Sequence, residues 1–256
     1  MRPAVRAIYH FARTADDLAD EGDDTAGERR AALQHFREAL TAAAQGQPMA
    51  EAWPGVFGPL AQVMHQHALP LPCLMDLLDA FEQDTYNRPY ETRDQLLAYC
   101  RRSANPVGRL MLHLAGVRDA QALALSDQIC TALQLINFWQ DASVDLPRGR
   151  VYFPRADAHA HGLSLAALQR GEDSPATQAM LRDLCEWAAD FMQRGAPLAR
   201  KVPGRLGWEL RLVVQGGARI LERIEAMHFR TLSQRPKLGA SDLPLLLWRA
   251  WRMPAA

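Results

Sequence analysis

Cysteine is scarce in this 256-residue chain: Cys73, Cys100, Cys130 and Cys185 are widely spaced, without one C-x-x-C pair. That pattern argues against a zinc ribbon, a dithiol redox centre or a disulfide framework, and the four read as reduced core thiols of a cytoplasmic protein. Net charge is lacking too. Lys+Arg and Asp+Glu number 29 each, so no global field draws in nucleic acid or an anionic surface. No apolar run reaches the roughly 18–20 residues of a membrane span. The N-terminus, MRPAVRAIYHFARTADD, is broken by Arg6, His10 and Arg13, which is not the pattern of a signal peptide. Strand-like alternation, internal repeats and low-complexity linkers are missing as well. The exclusions leave a soluble protein that touches a membrane from one side at most, and 48% hydrophobic content is enough for a sizeable core.

What the sequence does contain is helical periodicity. RAIYHFARTADDLAD sets Ile8, Phe11, Ala12, Ala15, Leu18 and Ala19 on one stripe. CLMDLLDAFEQD, RDQLLAYCRRSANPVGRLMLHLAG, DAQALALSDQICTALQLINFWQDASVD, LRDLCEWAADFMQRGAPLARKV and GWELRLVVQGGARILERIEAMHF continue the pattern. Gly and Pro fall where helices should end, as at Gly46–Pro48, Gly116, Pro147–Gly149 and Pro203–Gly204. Pro106 and Pro197 lie inside helical patterns and predict breaks. The reading is all-α, a single domain over 1–256.

One of these helices carries unusual chemistry. In NFWQDASVDLPRGRVYFP, Asn137, Asp141 and Asp145 stand four apart, which on an α-helix is a displacement of only about 40° around the axis. Like charges at that spacing repel, and burying them is costly without a cation between them. A lone D-x-x-x-D is most simply a solvated acidic patch. The chain has a second one, however: Asp16 and Asp20 in RTADDLADEGD, on another apolar helix about 120 residues away. Two acidic pairs on apolar helices suggest facing walls of one cavity holding Mg²⁺, a hard cation that takes oxygen ligands and leaves sites for phosphate. The chemistry that needs this is ionisation of a prenyl-type diphosphate, with Arg13, Arg148 and Arg150 steadying the phosphate oxygens. The rest of the cavity would be apolar, to hold a hydrocarbon tail and shield a carbocation; Leu110–Leu114 and Leu133–Phe138 are candidates for its walls.

ARTADDLAD, YCRRSANPVG and LQLINFWQDASVDLPRGRVYFP together resemble the squalene/phytoene synthase family of head-to-head isoprenoid synthases. LQLINFWQD…RGRVYFP with SANPVGRLMLHLAG is most similar to its hydroxysqualene synthase branch, of bacterial hopanoid pathways. The resemblance runs from about Ala4 to Glu225. It implies an isoprenoid synthase fold, helices around a central apolar cavity, with metal ligands at Asp16, Asp20, Asn137, Asp141 and Asp145. It places a phosphate-side arginine at Arg13 and cavity residues at Tyr99 and Gln134. It further implies conversion of presqualene diphosphate and water to hydroxysqualene, without a nicotinamide cofactor. A condensing prenyl synthase and a non-catalytic scaffold are the alternatives. A nearly insoluble substrate implies peripheral contact with the inner face of a membrane, or hand-over from a presqualene diphosphate synthase; nucleic acid is not a partner.

Two departures from the family pattern stand out. A Ser/Phe-bearing helix ahead of the first aspartate motif is missing, since only 15 residues precede Asp16; the expectation is a fraying first helix and weak catalysis. SANPVG makes that stretch more polar than in phytoene-forming relatives, which suits capture of a cation by water. Other features have plainer readings. His65-x-His67 and His159-x-His161 read as surface histidines, Gly216–Gly217 as close helix packing, and Arg29–Arg30 as a solvated face. Trp139 reads as packing, while Tyr86, Tyr90 and Tyr152 are split between packing and a cation-stabilising cavity lining.

Overall fold

A computed structural model describes residues 1–47 and 52–253; Pro48, at one expected helix end, lies outside the described residues. The chain is all-α, and no strand occurs among the described residues. It forms two compact units, Met1–Asn87 with Arg102–Arg118, and Arg88–Arg101 with Asp119–Ala256.

The first unit is built on α1 (Arg2–Asp20), α2 (Ala26–Ala44), α3 (Pro54–His67) and α4 (Leu71–Asp84). The α1 stripe is buried as its periodicity predicts, with Ala4, Ala7, Ile8, Phe11, Ala15 and Ala19 inside, and Ala12 and Leu18 packed against the core. That burial packs the helix against the core from its first turns. Phe11 stacks on Phe36 at 5.4 Å and Phe57 approaches Phe36 at 4.7 Å, an aromatic centre shared by α1, α2 and α3. At the start of α2, Thr25 accepts from the Glu28 amide while the Glu28 carboxylate accepts from the Thr25 amide, a reciprocal cap. Arg29 is not a solvated residue. It donates to the carbonyls of Ala19 (2.7 Å), Gly22 and Asp24. These include carbonyls left open where α1 ends, which a guanidinium fork can satisfy together.

The long RDQLLAYCRRSANPVGRLMLHLAG pattern divides into α5 (Arg93–Ser103) and α6 (Asn105–Leu114), with the break one residue ahead of the Asn105–Pro106 step. Ala104 takes φ −116° between the two helices, and Pro106, which has no amide to give a continuous helical ladder, sits in the first turn of α6, where none is needed. Leu110 belongs to the packed core of the first unit rather than to an open cavity wall.

The second unit centres on α7 (Ala120–Gln140), which starts at an Asp119 cap accepting from the Ala122 amide. Its buried residues, among them Ala122, Ile129, Ala132, Leu135, Ile136 and Trp139, occur around most of its circumference. A helix apolar on nearly all sides belongs inside a bundle. Short helices α8 (Ala142–Asp145), α9 (Arg155–Ala160) and α10 (Leu165–Gln169) lead to α11 (Pro175–Gly195), α12 (Leu198–Lys201), α13 (Gly204–Ala226) and α14 (Leu243–Arg252). Pro197 caps α12 at the predicted break. Trp139 is fully buried and donates its indole N–H to the Leu184 carbonyl at 3.1 Å, the packing role expected of it. All four cysteines are free thiols, three of them buried. Burial pushes the thiols of Cys100 and Cys185 up to about 12, which keeps them protonated and inert.

Candidate active site

In the first unit, Asp16 and Asp20 lie one turn apart near the end of α1, both half-buried. Arg13, one turn upstream, donates to Asp16 at 2.9 Å and to Glu21 at 2.7 Å. Its guanidinium also lies 2.7 Å from the Asp17 carboxylate, out of line for a hydrogen bond. These acidic neighbours, Asp17 foremost, push the Arg13 pKa further up. Arg13 is thus a cation held among carboxylates. Ser103, in the polar segment of the same unit, keeps a buried hydroxyl without a hydrogen-bond partner, and Asn105 is buried.

In the second unit the sequence predicts Asn137, Asp141 and Asp145 on one continuous helix. The structure corrects this: α7 ends at Gln140, Asp141 takes φ −97° and ψ 8°, and α8 resumes at Ala142. Four-residue backbone bonds span the joint, from the Asp141 amide to the Asn137 carbonyl and from the Asp145 amide to the Asp141 carbonyl, each 2.9 Å. The spacing therefore survives the kink. Asn137 is exposed, whereas Asp141 and Asp145 are half-buried.

The chain then reverses tightly. Leu146–Arg148 form a 3₁₀ turn and Gly149 closes it at φ 76°, a left-handed conformation that glycine adopts without strain. The Arg150 amide returns to the Asp145 carbonyl at 3.0 Å. The turn thereby keeps Arg148 and Arg150 within electrostatic reach of the Asp145 carboxylate.

Sequence reasoning missed one member of this cluster. Arg235 forks onto Asp141, Nε to Oδ1 at 2.5 Å and Nη2 to Oδ2 at 2.9 Å. The loop that delivers it is fastened on both sides. Asp173 accepts from the amides of Leu232 and Ser233 and from the Ser233 hydroxyl, and Gln140 donates to the Pro236 carbonyl at 2.8 Å. Arg235 stands 94 residues from Asp141 in the chain, so no spacing signal could have found it.

Electrostatically the cluster is short of positive charge at one place. The Asp145 carboxyl is pushed up to about 6, first by burial and then by Asp141, despite opposing pulls from Arg150, Arg148 and Arg235. Asp141 has a bidentate partner, and Asp145 bears the residual repulsion. Beside the same α7 end lies an aromatic group. Phe138 and Tyr152 stack at 3.9 Å, and Tyr99 and Tyr90 pack around them at 5.8–6.4 Å. Tyr90 and Tyr99 are buried and Tyr152 half-buried. Tyr86 does not join them; it is exposed in the first unit with Arg30 over its ring at 4.6 Å. Gln134 is half-buried on α7, one turn before Phe138.

The donors are carboxylates on the first unit and two carboxylates with a carboxamide on the second, oxygen ligands of the kind a hard divalent cation prefers, and the raised Asp145 pKa marks a charge deficit that such a cation would relieve. Among the described residues, no three His, Cys, Asp or Glu side chains converge on a metal position; Arg235 on Asp141 and Arg13 on Asp16 currently supply the balancing charge. His161 pairs with Asp183 at 3.0 Å, and His113 contacts the His67 carbonyl. A separate cleft of about 410 Å³ runs along α11 and α13, lined by residues such as Cys185, Met192, Val214 and Phe229, and includes none of the predicted site residues.

Comparison with known proteins fits this picture. Residues 1–242 match the family model for squalene/phytoene synthase. A hydroxysqualene synthase of Rhodopseudomonas palustris is 32% identical over 88% of this chain and 75% of its own length. One from Sinorhizobium fredii is 31% identical over 96% of this chain and 81% of its own. The crystal structure of squalene synthase HpnC from Alicyclobacillus acidocaldarius superposes with a TM-score of 0.82 at 34% identity, covering 89% of this chain and 84% of that one. The helices, the two aspartate pairs and these similarities converge: the chain belongs to the squalene/phytoene synthase family and is an isoprenoid synthase.

Proposed function

We propose that the chain converts presqualene diphosphate and water to hydroxysqualene and diphosphate, a Mg²⁺-dependent step of squalene and hopanoid biosynthesis. The observation that carries the reading is the Asp141–Asp145 cluster, with Arg148, Arg150 and Arg235 around it and buried tyrosines beside it. The named similarity to hydroxysqualene synthases supports the choice of product. Asp16 and Asp20 on the first unit, and Asn137, Asp141 and Asp145 on the second, would hold the ions. When bound, Mg²⁺ would neutralise charge on the leaving diphosphate.

The chain's own residues do the rest. Arg148 and Arg150 bind phosphate oxygens as the carbon–oxygen bond breaks and diphosphate departs with the electron pair. Arg235 releases or shares Asp141 as the site fills, so its charge becomes available to the same anion. The π faces of Tyr99, Tyr90 and Tyr152 favour the cation left on carbon. Gln134, on α7, would orient the water whose oxygen bonds to carbon and whose proton is then lost. Substrate of this kind resides in lipid, so delivery is from a membrane surface or from a presqualene diphosphate synthase. No helix among the described residues is long and apolar enough to cross a membrane.

The deciding experiment supplies purified protein and Mg²⁺ with presqualene diphosphate or farnesyl diphosphate in ¹⁸O-water. Hydroxysqualene carrying ¹⁸O from presqualene diphosphate is the expected result. Presqualene diphosphate or phytoene-type hydrocarbon made from simple prenyl diphosphates would replace this reading with a condensing synthase.

A further inference from the structure

The C-terminal helix α14 is amphipathic with its apolar face turned outward. Leu243, Pro244, Leu247, Trp248, Trp251 and Arg252 are exposed, while Leu246 and Ala250 are buried. At 100° per residue the six exposed positions fill one continuous half of the helix. Five are apolar, and the sixth, Arg252, borders the arc with its guanidinium 5.0 Å from the Trp248 ring. Trp251 is 70% exposed and Trp248 51%. Scattered single apolar residues on a surface need no explanation, but two tryptophans and two leucines on one arc do.

This orientation is fixed rather than incidental. Asp242, 2% exposed, accepts from Arg219 and Arg223 on α13 at 2.8 Å and from the Gly239 amide. Glu222 of α13 accepts from Arg249 at 2.5 Å. These contacts rivet the start and the last turn of α14 to α13 and consume the charges on the inner side. The outer arc is left with no acidic group and one cation at its edge.

The geometry points to α14 as an interfacial docking element for a lipid bilayer bearing anionic headgroups. Tryptophan prefers the boundary between headgroup and acyl chain, leucine enters the acyl side, and an arginine at the rim meets phosphate. At 10 residues the helix is about 15 Å long, half of what spans a bilayer, so it lies on the surface. A second copy of the chain is a poorer occupant. The arc offers on the order of 500 Å², from four apolar side chains 47–70% exposed, against roughly 800 Å² per partner in a stable interface. The inference deepens the reading of the substrate as an isoprenoid lipid, but vesicle binding is measured independently of turnover.

The test is sedimentation of the full chain with phosphatidylcholine vesicles, with and without 30% phosphatidylglycerol. Several-fold tighter binding to the anionic vesicles is expected, with at least a tenfold loss for W248S/W251S and a comparable loss for L243S/L247S, whose changes lie at the other end of the arc. Y86S, at an exposed aromatic of the first unit, should bind as wild type. Unchanged melting temperatures establish that the variants fold. Vesicle binding that ignores both double variants, or that does not depend on phosphatidylglycerol, overturns the proposal. So does a lipid-free dimer that W248S/W251S dissolves. Turnover of detergent-dispersed presqualene diphosphate separates the two readings: loss of α14 docking with turnover intact sinks only the docking, and docking without turnover sinks only the reaction.

Discussion

Asp145 is where burial and like charge act on one side chain. Its carboxyl is raised to about 6, against about 3.9 in an unfolded chain. Between those values the folded protein retains a proton that the unfolded chain has released, so stability falls as pH rises from about 4 to about 6 and stays reduced above it. Asp145→Asn removes that penalty. Its melting temperature should exceed that of the metal-free wild type at pH 7.5, by on the order of 2–4 °C for each kcal/mol relieved, and converge with it below pH 4. Turnover should fall at least a hundredfold, because the proposed reaction assigns this carboxylate to the metal. A pH series of thermal melts beside a rate assay checks both halves; equal melting at every pH would show that Asp145 carries no strain. This gain belongs to Asp145 alone. Asp141 is compensated by the Arg235 fork, so Asp141→Ala breaks a half-buried ion pair and should cost stability as well as activity.

Helix packing separates residues that look equivalent in sequence. Gly216 and Gly217 adjoin in VVQGGARIL, and close packing is expected of both. A Cβ on Gly217 would come within 2.7 Å of the Met192 methyl and 3.2 Å of Leu133, so this glycine does allow α13 to approach α11 and α7. At Gly216 the nearest atom would be Leu238 Cδ1 at 3.9 Å, an ordinary contact. Gly195, which drew no attention in the sequence, is tighter still, with the Ile129 amide nitrogen 2.8 Å from its notional Cβ. Side chains can shift but backbone cannot. Gly216→Ala should therefore stabilise by up to about 1 kcal/mol through helix propensity. Gly217→Ala should cost about 1–2 kcal/mol, and Gly195→Ala about 3 kcal/mol or more. Urea titration of the three variants gives the order directly, and any other ranking would refute the packing account.

For the whole molecule, ligand linkage reports on the two aspartate pairs together. A ligand bound only by the folded chain raises the melting temperature by mass action, so Mg²⁺ with inorganic diphosphate should stabilise the wild type by a few degrees. If both pairs hold one ion cluster, Asp16→Ala alone should abolish nearly the whole shift, and Asp141→Ala likewise. Partial shifts that sum to the wild-type value would mean independent sites. No shift with any divalent ion would remove the metal from the proposed reaction.

The helical class, the burial of the α1 stripe, the breaks at Pro106 and Pro197 and the membership of the family were all legible in the chain, because each depends on local periodicity, proline sterics or a short motif. The residues that complete the acidic cluster were not. Arg235 reaches Asp141 only because Asp173 and Gln140 fasten its loop from distant points of the chain. The Arg29 cap on α1, the exposed position of Tyr86 and the outward apolar face of α14 likewise depend on which surfaces other helices cover. Sequence determined the donors and their spacing through the helix repeat; tertiary structure decided which charges meet, since ion pairing and burial depend on distance in space rather than along the chain.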